Sequence, residues 1–195
     1  MKHFLAAALV CLLALPAASQ VVSPGGGGTM RPLYPTTSTS GAPVGNGADL
    51  TEDMLRSYTL PANTLRNNGD RIVISIAGSF AASTDVKTAR LRWDVSGGVA
   101  SSGIQMLPVV GQAVGAVTWV GTIEVIKTGP NAQTFWYTGE VQNQTISFSA
   151  SNATMTRPDN ADVIIWVTGL NATNSVAGSV TCAYFTVDYI PAPSK

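Results

Sequence analysis

Little in this chain could carry acid–base, nucleophilic or metal chemistry: its 195 residues hold one histidine, two cysteines and eleven Asp or Glu. His3 stands with Lys2 ahead of a charge-free apolar run over residues 4–15, after which Pro16, Ala17, Ala18 and Ser19 supply the small residues a signal peptidase needs. The run is too short to span a bilayer comfortably. Residues 1–19 therefore read as a secretion signal cleaved near Ser19 and Gln20, ahead of an uncleaved anchor or a buried apolar segment. Cys11 follows Val10, where lipoprotein processing prefers a small residue, so it reads as part of the apolar run. Cleavage would remove the only histidine, and with it any Ser-His-Asp or Cys-His arrangement and any His-containing zinc site. Cys182 is then the last thiol, without an intrachain partner, and is expected to pack as a small hydrophobe.

The carboxylates offer one pair. Glu124 and Glu140 could act as glycosidase acid and nucleophile on neighbouring strands. Glu124 alternates with Ile123 and Val125, however, which marks a solvent-facing strand position. Asn67, Asn68 and Asp70 could lend oxygens to calcium, but they lack the dense run of ligands such a site uses and fit a turn better. No catalytic residue, cofactor or metal is expected.

The aromatic residues are more suggestive. Trp93, Trp119, Trp136 and Trp166 could stack on sugar rings, yet each sits within an alternating or apolar stretch where a core or subunit-interface position is the usual outcome. Phe135, Trp136 and Tyr137 differ because they are consecutive. Successive side chains of a strand point to opposite faces, so at least one of the three must leave the core. These three are the candidate ligand or interface aromatics.

The elements that position them are strands. Isoleucines 72, 74 and 76 alternate with Arg71, Val73 and Ser75, and Ala89, Leu91, Trp93 and Val95 alternate with Thr88, Arg90, Arg92 and Asp94. The second stretch reads as one dry face and one wet face. Residues 54–60, 103–107, 116–127, 134–141, 145–150, 163–170 and 179–190 are further strand candidates, separated by turn-forming runs such as Asn67-Asn68-Gly69-Asp70 and Gly129-Pro130-Asn131. Only residues 48–55 offer a helix-like start. The pattern predicts an all-β, antiparallel β-sandwich over residues 49–195, jelly-roll-like, with about eight or nine strands. Residues 20–48, rich in Gly, Pro, Ser and Thr, read as a disordered tether. The competing reading of that stretch lays Leu33 and Tyr34 along a neighbouring subunit as an arm.

Charged residues make up only 11% of the chain, against about 25% in ordinary soluble domains, and formal net charge is zero. Such a chain lacks the electrostatic footprint for a phosphate backbone, so no nucleic-acid partner is expected. Its 38 Ser and Thr residues supply solubility instead. Asn143, Asn152 and Asn171 each head an N-glycosylation pattern, expected by chance in a chain so rich in Asn and Thr.

One segment is more specific: Tyr58-Thr59-Leu60-Pro61-Ala62-Asn63-Thr64-Leu65, then Asn68-Gly69-Asp70, residues 72–76, Ala77-Gly78-Ser79-Phe80-Ala81-Ala82 and residues 85–91. It resembles a β-sandwich module of tailed-bacteriophage virion proteins, found in head fibres and tail-associated proteins. About 35 residues carry the likeness. Pro61 fits a strand end because it cannot donate to a ladder, and Gly78 fits a bend ahead of Phe80. The resemblance implies a structural or adhesive role without catalysis. The expected partners are other virion proteins and copies of itself, assembled as a homotrimer. The alternative is a secreted, carbohydrate-binding module that holds cell-surface glycans. Virion and extracellular locations correspond to these two readings.

Overall fold

A computed structural model describes residues 31–34, 44–95, 104–113, 116–142 and 153–193. Within them the chain forms eleven strands and no helix: β1 (Arg31–Tyr34), β2 (Val44–Gly45), β3 (Asp53–Leu60), β4 (Arg71–Phe80), β5 (Ser83–Val95), β6 (Ile104–Ala113), β7 (Val117–Gly129), β8 (Ala132–Val141), β9 (Ala153–Thr156), β10 (Val163–Asn171) and β11 (Val180–Ile190). They make an antiparallel sandwich. One sheet runs β1-β11-β4-β7-β8-β9, with β2 also pairing to β11, and the other runs β3-β10-β5-β6. Six connections, β2 to β3, β3 to β4, β4 to β5, β6 to β7, β9 to β10 and β10 to β11, cross between the sheets, which sets β10 between β3 and β5 and β4 between β11 and β7. This interleaving is jelly-roll-like.

Eight of the nine expected strands are present, and the candidate at 145–150 lies outside the described residues, as does the signal-like segment 1–19. The additional elements are short. β1 and β2 fall inside the stretch that reads as a tether and pair with β11, while the four-residue β9 extends the far edge beside β8. The expected helix start at 48–55 is not helical, since β3 begins at Asp53. Asp49 turns the chain there, its carboxylate accepting from the Thr51 amide at 2.8 Å.

Alternation explains the core. Ile72, Ile74, Ile76 and Phe80 from β4 meet Trp119, Ile123 and Val125 from β7, with Phe185 and Val187 of β11 beside them, all buried. On the facing sheet, Leu91 and Trp93 of β5 pair in register with Val167 and Ile165 of β10. Gly78 does not interrupt β4, which continues to Phe80, and it lies opposite the bulge of β11 between Cys182 and Tyr184. It serves close packing instead: a Cβ there would stand 1.8 Å from the Thr181 carbonyl oxygen and 2.4 Å from the Trp119 ring.

The wet face expected on β5 is also corrected. Thr88 and Arg92 are buried. Glu52, just ahead of β3, folds over this face and accepts from Arg92 Nε at 2.6 Å and Nη2 at 2.7 Å, from Arg90 Nη1 at 2.8 Å, and from the Thr168 hydroxyl. An isolated strand pattern cannot show that a carboxylate 40 residues upstream will neutralise its arginines.

Candidate functional site

The three consecutive aromatics fall on β8, and strand alternation separates them as their spacing requires. Phe135 is buried against the core, Tyr137 is half-buried and packs on its edge, and Trp136 points out of the sandwich with 38% of its surface exposed. Trp93, Trp119 and Trp166 are buried, so Trp136 is the exposed tryptophan among the four.

Trp136 belongs to the outer face of the larger sheet. Register places it opposite Glu124 of β7, which lies opposite Val73 of β4, which lies opposite Asp188 of β11. The next row toward the other end is Thr186, Ser75, Thr122 and Thr138, and the row after that is Tyr184, Ala77, Val120 and Glu140. The face thus alternates a hydroxyl stripe with two stripes that mix apolar and acidic side chains. Val120 is 47% exposed and Tyr184 37%. A signal for Trp136 was legible in its aromatic neighbours. No such signal marks Val120 or Tyr184, because their grouping depends on which strands pair.

Charge on this face is sparse. Arg71 Nη1 donates to Glu124 Oε1 at 2.9 Å, two residues along β4 from the Val73 row. Burial pushes the Asp188 carboxyl above the usual carboxylate range, and the Thr186 hydroxyl opposes that shift. Glu124 and Glu140 share the face but sit four residues apart along the ladder, opposite Trp136 and Val120 respectively. At strand rise this is about 13 Å between backbones. A glycosidase pair needs about 5–9.5 Å, so the register does not bring these two carboxyls together for that chemistry.

Other sequence candidates take structural roles. Both Asp70 oxygens accept backbone amides, Oδ2 from Arg66 and Asn67 and Oδ1 from Ala192, each at 2.8 Å. That carboxylate fixes the 66–70 turn to the C-terminal segment, with Gly69 at φ +93° closing it. Asn171 is fully buried and its amide donates to Asp85 Oδ2 at 3.3 Å, which leaves it closed to glycan attachment. Asn143 and Asn152 lie outside the described residues. Cys182 is buried, and burial pushes its thiol up to about 11, far from the thiolate needed for reactivity. Among the described residues no group of three or more His, Cys, Asp or Glu is placed to hold a metal ion.

No protein-family profile matches the chain, and no curated protein does. One solved structure, the CBM2 module of the evolved Dit of Lactobacillus casei BL23 phage J-1, aligns at a TM-score of 0.35 with 11% identity, covering 71% of this chain and 70% of that one.

Proposed function

We propose that this chain is a non-enzymatic structural module of a phage virion that assembles with copies of itself, as a homotrimer, through the outer face of its larger sheet. The observation that carries the reading is the grouping of Val120, Trp136 and Tyr184. They are three of the six large apolar side chains exposed among the described residues, and all three lie on one sheet face. Val120 and Tyr184 share one row and Trp136 lies two rows away across the hydroxyl row, and large apolar side chains exposed on one face support a contact surface. The low charge of the chain removes the repulsion that would oppose packing of like on like. The segment from Tyr58 to Leu91, with its likeness to virion modules, supplies the setting.

Light scattering on the full chain after size exclusion tests this. A trimer at micromolar concentration that dissociates in Val120→Lys is the expected result. A strictly monomeric wild type overturns it.

A second reading is favoured by Trp136 alone. An exposed indole flanked on its own strand by Thr134 and Thr138, with Glu124 opposite, offers a stacking surface beside hydroxyl and carboxylate groups, as glycan recognition requires. Binding on a glycan array that is lost in Trp136→Ala would favour adhesion over assembly, and a blank array would end that reading.

A further inference from the structure

At the end of the sandwich where β3 runs out, two buried donors lack a protein acceptor and line the same cavity. Trp93 is 1% exposed, and its Nε1 has no partner. Arg157 Nε is likewise buried and unpartnered, although Arg157 Nη2 donates to Asp94 Oδ1 at 3.1 Å. The cavity measures about 20 Å³, and its wall includes Leu60, Trp93, Gln133, Arg157, Asp159 and Val163. One oxygen atom with its hydrogens needs about 10–15 Å³ by this measure, so there is room for one and not for several.

Two polar residues of the wall, Gln133 and Asp159, help to hold it in shape, and Asp159 Oδ1 is itself buried without a partner. The Gln133 amide donates to the Arg157 carbonyl and accepts from the Arg157 backbone, both at 3.1 Å. Asp159 accepts from the Asn131 amide at 2.9 Å and pairs with the buried Lys127 ammonium. Burial works to raise the Asp159 carboxyl, but the Asn131 amide and Lys127 outweigh it and hold the group ionised. An ionised carboxylate only accepts.

We propose that this cavity binds one hydroxyl oxygen, which accepts from Trp93 Nε1 and Arg157 Nε and donates to the Asp159 carboxylate. Two molecules present that chemistry, a water and a pyranose. The cavity shares Asn63, Leu65 and Asp159 with an open cleft of about 490 Å³ that Arg66 and Lys127 also line, a volume that holds a sugar ring with one hydroxyl reaching inward. This site lies away from the outer face that carries Trp136 and stands independently of it.

The test is NMR on the full chain, following the Trp93 indole N–H, with its resonance identified by its loss in Trp93→Phe or, should that variant misfold, by its displacement in Arg157→Gln. A cross-peak from this N–H to a long-lived water in the free protein is expected. Titration with glucose, galactose or N-acetylglucosamine separates the occupants. Loss of the water cross-peak with a shift of the N–H identifies the sugar hydroxyl, and a cross-peak indifferent to all three sugars identifies resident water. An indole N–H with neither a water cross-peak nor a sugar-dependent shift overturns the proposal.

Discussion

Glu52 grips Arg92 in two places, accepting from Nε at 2.6 Å and from Nη2 at 2.7 Å, across a face of β5 where both side chains are nearly buried. Paired hydrogen bonds of this kind are among the strongest charge-assisted contacts in proteins. The same carboxylate serves Arg90 and Thr168, so it joins the segment ahead of β3 to β5 and β10. Removing it takes one shared carboxylate away from both Arg90 and Arg92. Glu52→Gln is expected to lower unfolding free energy by about 3 kcal/mol, read by urea titration. A loss no larger than that of an exposed salt bridge would show that the pair is solvated.

The same group sets an acid limit. Burial works to raise the Glu52 carboxyl, but the Arg92 and Thr168 hydrogen bonds and the two arginine charges outweigh it, so its folded pKa lies below the ordinary 4.5. A carboxyl depressed on folding contributes stability above its unfolded pKa, and that contribution is lost as pH falls through the folded one. Tm should therefore drop as pH is lowered below about 4.5, with a flatter profile in Glu52→Gln. Equal slopes in the two proteins would assign the acid sensitivity to other carboxylates.

Gly78 should tolerate no side chain. A Cβ 1.8 Å from the Thr181 carbonyl oxygen cannot be relieved by rotating a flexible group, because the obstruction is the backbone of the neighbouring strand. Gly78→Ala must push β11 from β4 and displace Trp119 as well, at a cost of about 3 kcal/mol or more. Hydrogen exchange across β4 and β11 would report the parting of the strands, and unchanged protection would contradict it.

Two tryptophans on the larger sheet should behave oppositely. Trp119 is fully buried, and its ring lies 6.1 Å from that of Phe80 between centroids. Trp119→Ala is expected to cost about 3–5 kcal/mol. Trp136→Ala, on the exposed face, is expected to cost about 1 kcal/mol or less, with its effect falling on association instead. Thermal melts of the two variants distinguish these outcomes.

Cys182 should be inert in the folded protein. Its thiol is buried, donates to the Tyr184 carbonyl at 3.3 Å and is pushed up to about 11. Iodoacetamide at pH 8 is expected to leave the Cys182 peptide unmodified in native protein and to alkylate it in urea. Native alkylation would mean that β11 opens readily at its bulge between Cys182 and Tyr184.

Local pattern determined the strands of this protein. Alternation in 71–80 and 83–95 placed Ile72, Ile74, Ile76, Leu91 and Trp93 inside because side-chain direction along a strand has a period of two. Pro61 ended β3, and Asn67 to Asp70 made a turn, for reasons contained in those residues themselves. The aromatic triplet showed that one ring must face outward without showing which. Tertiary structure decided the rest, because pairing joins residues far apart in the chain. Trp136, Val120 and Tyr184 share a face only because β8, β7, β4 and β11 lie side by side. Arg92 is buried only because Glu52 folds across it. Gly78 is required by a strand that begins about 100 residues later, and no local signal carries that information.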